Sequence, residues 1–139
     1  MCFNQVPVVI LSMAEGLKFD PSESGLRKTL KEYQELALRY VWEVGEEGAG
    51  SGPVWKGVNE ELQKHGGSIS RASIIFSLND LVDQGVLSFE LESGKGGMHK
   101  IYKPTMDEDG YKKYVVKTIL ESALRDFPVE TREILKNYT

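Results

Sequence analysis

The stretch ESGKGGMHKIYKP, residues 92–104, brings together residue types that bind phosphate groups. Positive charge and glycine alternate along it, at Lys95, His99, Lys100 and Lys103 and at Gly94, Gly96 and Gly97. A nucleotide-binding P-loop requires the pattern G-x-x-x-x-G-K-[ST] between a strand and a helix. Here glycine follows the first lysine, and the loop joins two strand-like segments, so a P-loop is excluded. Two interpretations stay open: contact with a nucleic-acid backbone, which glycine allows to approach closely, or a flexible turn.

Histidine and cysteine are too scattered in this chain to indicate a catalytic or metal centre. His65 and His99 lie far apart, and neither has a second ligand at helical spacing. The sequence contains no C-x-x-C or H-x-x-x-H pattern. Cys2 is the single cysteine, which excludes an internal disulfide and is typical of a reducing cytoplasm. We therefore expect no enzyme, no cofactor and no metal ion.

The composition is ordinary for a soluble globular protein, because 40 % of the residues are hydrophobic and 27 % are charged. With 139 residues, the chain is long enough for one domain with a real core. Its net charge of -4 gives no general attraction to nucleic acid, so any basic surface must be local. The apolar run VPVVIL at residues 6–11 is too short to cross a membrane, and we interpret it as an N-terminal arm.

Apolar periodicity predicts four helices and one hairpin. We expect helices near residues 27–44, 54–65, 70–84 and 107–125, and a hairpin near 86–103. The glycine-rich residues 45–53 are predicted to form a loop. Residues after 127 form a short last helix or a frayed end. The resulting organisation is an arm and linker (1–25), a central domain (26–104) and a C-terminal helix with a tail (105–139).

The second and third predicted helices have defined buried stripes and ends. The stripe of the second helix consists of Val54, Val58, Glu61, Leu62 and His65. Ser70 is the expected N-cap of the third helix, and Gly85 is expected to end it. Its buried stripe consists of Ile74, Leu78 and Leu81.

Three helices followed by a two-stranded hairpin is the order of a winged helix-turn-helix, in which the opening stretch forms the wing. We therefore predict a mainly α fold with a small β-hairpin, a winged helix-turn-helix with an added long C-terminal helix. Residues 70–111 resemble the helix, wing and exit of the penicillinase-repressor family and, more loosely, MarR-type regulators. The matching features are Ser70, Ser73, Ile74, the pair Leu78 and Leu81, QGVL at 84–87, and IYKP before an acidic helix start. The resemblance covers about residues 30–125 and implies a homodimer that represses transcription at operator DNA.

A recognition helix reaches base edges with its N-terminal residues. We therefore expect Ser70, Arg71, Ala72, Ser73 and Phe76 to contact double-stranded DNA, together with Lys95, His99 and Lys100 of the wing. Arg71 can pair with guanine, and Ala72 or Phe76 can touch a thymine methyl group. At 100° per residue, Asn79 and Asp83 also point outward.

The long helix near 107–125 has a face too apolar to leave in water. This face consists of Tyr111, Tyr114, Val115, Thr118, Ile119, Ser122 and Ala123, with Leu124 beside them. We expect it to form a homodimer, which places two recognition helices about 34 Å apart on a palindromic operator.

An alternative function stays open: a winged-helix module that binds a protein partner instead of DNA. The acidic residues Asp80 and Asp83 and the outward Phe76 favour this alternative. We expect no membrane partner, and the sequence identifies no effector ligand.

Overall fold

The computed structural model describes residues 16–138. The predicted arm at residues 6–11 and Cys2 lie outside the described residues. The chain divides into two compact units, with the boundary between Asp107 and Glu108. Among the described residues, no helix is both long and apolar enough to cross a membrane.

The first unit is mainly helical and ends in a two-stranded antiparallel hairpin, which confirms the predicted mixture of elements. Its helices are α1 (Glu32–Val44), α2 (Ser51–Gln63) and α3 (Arg71–Asp83), and its strands are β1 (Leu87–Gly94) and β2 (Gly97–Pro104). Two short 3-10 turns, Gly25–Lys28 and Gly45–Glu47, precede and follow α1. The core is made by apolar side chains from every element, including Leu38, Val41, Val54, Val58, Leu62, Ile74, Leu78, Leu81, Val86 and Leu87.

The first predicted helix, 27–44, is wrong at its start. The helix is broken after the 3-10 turn, and α1 begins only at Glu32. Lys31 has extended backbone angles and is the N-cap of α1. Its backbone N–H donates to Gln34 Oε1 at 2.8 Å, which satisfies one donor at the start of the helix. Leu26 in the 3-10 turn and Leu30 in the break itself are both buried, so the apolar period continues across the break and conceals it.

The predicted loop at residues 45–53 is also more structured than expected. Ala49 pairs with Tyr102 of β2 through two backbone hydrogen bonds of 2.9 and 2.8 Å. Gly48 permits this approach, since a Cβ there would lie 2.6 Å from Ile101 Cγ2. Helix α2 then begins at Ser51, because Gly50 takes an extended N-cap conformation.

The buried stripe of α2 differs from the prediction at two positions. Glu61 is exposed, and His65 is exposed beyond the end of the helix at Gln63. The polar residue Asn59 is buried instead, beside Val58 and Leu62. Its amide has hydrogen-bond partners in the connection that follows, which is why burial is tolerated there.

Helix α3 agrees with the prediction in its cap, its stripe and its end. Ser70 Oγ accepts a hydrogen bond from Ser73 N at 3.1 Å, as an N-cap side chain does. Ile74, Leu78 and Leu81 are buried. Gly85 follows the helix with a positive φ of 83°, a conformation that glycine adopts without strain.

The hairpin is buried at its base and exposed over its outer half. Its register pairs Leu87 with Pro104 at the base and Gly94 with Gly97 at the tip. Leu87 and Tyr102 are buried, whereas Leu91 and Met98 are exposed. Only the base of the hairpin therefore belongs to the core.

The second unit consists of two helices, α4 (Glu108–Asp126) and α5 (Pro128–Lys136). Two acidic residues in the first turn of α4 and Arg125 in its last turn match the helix dipole. Pro128 opens α5, where its missing N–H costs nothing. The residues after 127 therefore form a helix, which was one of the two predicted outcomes.

Candidate nucleic-acid interface

Helix α3 is held in place at its start by two side chains of α2. Asn59 Oδ1 accepts a hydrogen bond from the backbone N–H of Ile69 at 2.9 Å, and Asn59 Nδ2 donates to the carbonyl of Ile69 at 3.1 Å. Trp55 Nε1 donates to the same carbonyl at 2.9 Å. These bonds satisfy both backbone groups of Ile69 and fix the residue just before the N-cap of α3. The sequence signal for this contact was a polar residue within the apolar stripe of α2.

Arg71, predicted to contact bases, lies against the start of α2. Its Nη2 donates to Ser51 Oγ at 3.3 Å, and the guanidinium lies over the backbone of Gly52. Arg71 thus lies beside the first turn of α2, which is the positive end of that helix dipole. Its hydrogen-bond partner there, the hydroxyl of Ser51, is neutral. The guanidinium therefore keeps its positive charge uncompensated by any carboxylate in this contact.

The side chain of Asn79 contacts the hairpin, which corrects the prediction that it points outward. Asn79 Oδ1 accepts hydrogen bonds from Tyr102 Oη at 2.7 Å and from Lys100 Nζ at 3.2 Å. Burial raises the pKa of Tyr102, so its hydroxyl stays a donor over the physiological range. Lys100 Nζ also lies 4.5 Å from the ring centre of Phe89. Lys100 is thus held on the α3 side of the hairpin by neutral groups.

The hairpin tip is a tight, exposed turn. Gly96 and Gly97 have positive φ values of 88° and 117°, which require glycine. His99 Nε2 donates to the carbonyl of Lys95 at 2.7 Å, so the ring folds back on the turn. The side chain of Lys95 is exposed at the end of the hairpin. Lys103 lies nearer the base, where it pairs with Glu90 at 2.8 Å.

A groove of about 590 Å³ separates α3 from the hairpin. The groove brings together three of the residues predicted to bind DNA, Arg71, His99 and Lys100. Ile75 and Met98 are exposed at its edges, and Glu92 is its one acidic lining residue. Ile75 was not among the predicted site residues, although it lies one turn after Arg71.

A second cavity, of about 400 Å³, lies on the other side of α3 next to Phe76. Four cationic residues line it, namely Lys18, Arg27, Lys28 and Lys31. Two acidic residues, Asp20 and Glu23, also line it, so cations outnumber acids. Hydrogen bonds from Ser22 lower the pKa of Asp20, which stays ionised. The sequence prediction missed this basic cluster, although LRKTLK at residues 26–31 carried a signal for it.

Lys28 and Arg27 of this cluster have different partners. Lys28 Nζ donates to the backbone carbonyls of Pro21 at 3.2 Å and Glu23 at 2.7 Å, both of which are neutral. Arg27 pairs with the carboxylates of Glu32 and Glu35. The charge of Lys28 is therefore offset only in part, by the nearby carboxylate of Asp20, whereas that of Arg27 is compensated by two direct carboxylate partners.

The exposed surface of α3 changes character along the helix. Ala72, Ile75 and Phe76 are exposed in its N-terminal half, where no acidic residue occurs. Asp80 and Asp83 lie in its C-terminal half, and Asp80 accepts a hydrogen bond from Gln84 at 2.9 Å. An anionic ligand is consequently favoured only at the N-terminal half, where the helix dipole is also positive.

The residues predicted for dimerisation lie on α4, but they are mostly not its most exposed ones. Tyr111 is buried, Ser122 is exposed, and the others, Tyr114, Val115, Thr118 and Ile119, are half-buried. A different apolar stripe lies at a spacing of four residues and consists of Val116, Leu120 and Leu124. The flanking Lys112 and Lys113 pair with Glu108 and Asp109 at 3.2 and 3.3 Å. The sequence prediction included Leu124 but neither Val116 nor Leu120.

No protein-family model matches this chain, and no curated protein matches it either. Within residues 16–138, no three His, Cys, Asp or Glu side chains form a group suited to a metal ion. The arrangement of α3, the hairpin and the cations beside them is therefore the basis on which a function is proposed.

Proposed function

We propose that this protein is a DNA-binding transcription regulator of winged helix-turn-helix type. In this proposal α3 is the recognition helix, α2 is the helix that precedes it in the motif, and the β1–β2 hairpin is the wing. The order of elements supports this assignment, as does the Asn59 contact that fixes the connection between α2 and α3. The N-terminal half of α3 enters the major groove, because acidic residues occupy its C-terminal half.

The observation that carries the proposal is the kind of partner that the cations around α3 have. Arg71, Lys28 and Lys100 donate to a hydroxyl, to backbone carbonyls and to an amide oxygen. Each side chain is held in place by a neutral group. Arg71 and Lys100 have no carboxylate partner in these contacts, whereas the carboxylate of Asp20 offsets part of the charge of Lys28. They lie on both sides of α3, as contact with the phosphates on both sides of a groove requires. A local group of cations can attract DNA although the net charge of the whole chain is -4.

We assign the homodimer to α4. The stripe of Val116, Leu120 and Leu124 suits a second helix, because residues four apart form one ridge of a helix surface. A dimer doubles the number of recognition helices and favours operators with two equivalent half-sites. Repression, rather than activation, follows from the family resemblance alone.

A salt titration of DNA binding tests the proposal. The full chain is titrated against a fluorescent 30-bp duplex from a random-sequence pool, at several salt concentrations. The logarithm of the binding constant is expected to fall linearly with the logarithm of salt, by about 0.9 for each phosphate contacted. Arg71→Glu is expected to weaken binding strongly. A chain that does not bind duplex DNA even at low salt would refute the proposal.

The second candidate function is binding of a protein partner at the same surface. One observation favours it: Phe89, Leu91 and Met98 expose apolar area on the hairpin, and Ile75 exposes more beside them. The affinity for a protein partner that binds through this apolar area should depend little on salt concentration. The substitution Leu91→Ser should abolish this binding. The salt titration and this variant therefore separate the two candidates.

A further inference from the structure

The polar side chains at the start of α3 are already hydrogen-bonded within the protein. Ser70 Oγ accepts from the backbone N–H of Ser73, and the two hydroxyls lie 3.0 Å apart. Arg71 donates to Ser51 of α2. The hydroxyls of Ser70 and Ser73 are thus bonded to each other, and Arg71 is directed toward α2 with one of its N–H donors used.

The side chain of Asn79 is also hydrogen-bonded within the protein, and these bonds limit which bases it can recognise. An asparagine pairs with adenine by accepting from N6 through its amide oxygen and donating to N7 through its amide nitrogen. Here Oδ1 of Asn79 already accepts from Tyr102 and Lys100. The bidentate contact with adenine is therefore blocked as long as the hairpin keeps this position.

The large side chains exposed on the N-terminal half of α3 itself are apolar. Ile75 is 37 % exposed and Phe76 is 52 % exposed, although both are large and hydrophobic, and Ala72 is exposed beside them. The three lie within five residues in the N-terminal half of the helix, between two groups of cations. The only apolar group that DNA presents in the major groove is the 5-methyl group of thymine.

We infer that Ala72, Ile75 and Phe76 select DNA by contacting thymine methyl groups, while the cations on both sides hold the phosphates. This inference rests on the proposed DNA binding and specifies its chemistry. Specificity then comes mainly from apolar contact, and Arg71 contributes to affinity rather than to base discrimination.

The inference is tested by removing the methyl groups from the DNA. A 30-bp duplex is first enriched from a random-sequence pool by binding to the full chain. The same duplex is then synthesised with deoxyuridine in place of thymidine, which removes only the methyl groups. The uracil duplex is expected to bind about fourfold more weakly for each thymine methyl that is contacted.

Protein variants show whether the loss occurs at these side chains. In Phe76→Ser and Ile75→Ser, the ratio of thymine to uracil affinity is expected to fall toward one, while binding of the uracil duplex stays within about twofold of wild type, since no methyl contact remains to be lost. Val129→Ser is the control, because it removes an apolar side chain that is also exposed, at 62 %, from α5. Circular dichroism of each variant checks that the helices are intact.

Each outcome decides between the inference and the proposed function. Equal binding of the thymine and uracil duplexes refutes the inference and leaves DNA binding in place. An unchanged ratio in both serine variants refutes it too, because the methyl groups then act elsewhere. If the pool yields no bound duplex at all, the proposed function itself fails.

Discussion

Helix α3 and helix α4 both expose apolar side chains next to lysine or arginine, yet the cations differ in their partners. Around α3, Arg71 and Lys28 donate to neutral oxygen atoms. On α4, Lys112 and Lys113 pair with carboxylates one turn earlier. Cations whose partners are neutral oxygen atoms are more available to an anion than Lys112 and Lys113, whose charges are partly offset by carboxylates. In our proposal, similar exposed residues therefore serve DNA contact on one helix and self-association on the other.

The shape of the apolar area differs too. On α3 the exposed apolar residues form a short patch with a groove on each side. On α4 the apolar residues form a stripe of three residues that follows one ridge of the helix. A patch of this size matches a few methyl groups, and a stripe matches the side of another helix.

The largest effect is expected from charge placed on the α4 stripe. Val116→Asp should leave a folded monomer at micromolar concentration, because Val116 is exposed in the single chain and a carboxylate cannot be buried in a helix pair without a partner. DNA affinity should then fall by roughly two orders of magnitude, since linked sites gain that much from avidity. Sedimentation velocity measures the oligomeric state, and the fluorescence anisotropy of a labelled duplex measures the DNA affinity.

The predicted face on the same helix supplies the control. Val115 and Ile119 are half-buried, so aspartates there should destabilise the folded chain rather than only separate two copies. A native protein that sediments as a monomer at micromolar concentration would show that neither face of α4 forms a dimer.

The next effect concerns how α3 is held. Asn59→Ala leaves the backbone N–H and carbonyl of Ile69 without their amide partner, which should lower the free energy of unfolding by about 2–3 kcal/mol. Urea denaturation measures this loss. Gln63→Ala, at an exposed position of the same helix, should change it by less than about 0.5 kcal/mol. Equal losses in both variants would show that the Asn59 contact has no special importance.

A smaller effect distinguishes the cations around α3 from those on α4. Lys28→Ala with Arg71→Ala should flatten the plot of log affinity against log salt by about 1.8, because two phosphate contacts are lost. Lys112→Ala with Lys113→Ala removes the same charge from α4 and should leave the slope unchanged. If both pairs flatten the plot equally, only total charge matters and the comparison between the helices fails.

The smallest effect is expected at the hairpin tip and answers the question raised by its glycines and lysines. Lys95→Ala should reduce the salt slope by about 0.9 and weaken enriched and random duplexes by the same factor. Replacing Ser93 by alanine, at the other end of the same turn, should do neither. A salt slope that Lys95→Ala does not change would mean that the glycines serve only the turn.

The sequence predicted the helices and strands of the fold better than the interruptions and irregular contacts between them. Ser70 and Gly85 were identified as the ends of α3 because capping depends on local residue types. The break before Glu32 was missed because Leu26 and Leu30 stay in phase with the helix that follows. The pairing of Ala49 with Tyr102 was missed because a single bridge leaves no periodic pattern in the sequence.

The candidate site was harder to predict, since its important contacts join residues far apart in the chain. Helical periodicity placed Asn79 outward, and it could not show that Tyr102 and Lys100 lie within hydrogen-bond distance. The basic residues near 28 were missed because the prediction considered only α3 and the hairpin. The outward placement of Phe76, which depends on periodicity alone, is confirmed.

The division of the hairpin into a buried base and an exposed outer half has an evolutionary consequence. The pairing of Ala49 with Tyr102 and the close approach of Gly48 to Ile101 fix the base to the rest of the unit. Beyond Leu91 and Lys100, each further pair of residues lengthens the hairpin by about 3.3 Å without entering the core. Insertions and deletions at this end can therefore accumulate between related proteins at little cost in folding. The reach of the hairpin can be tuned to new targets while the remainder of the domain is inherited unchanged.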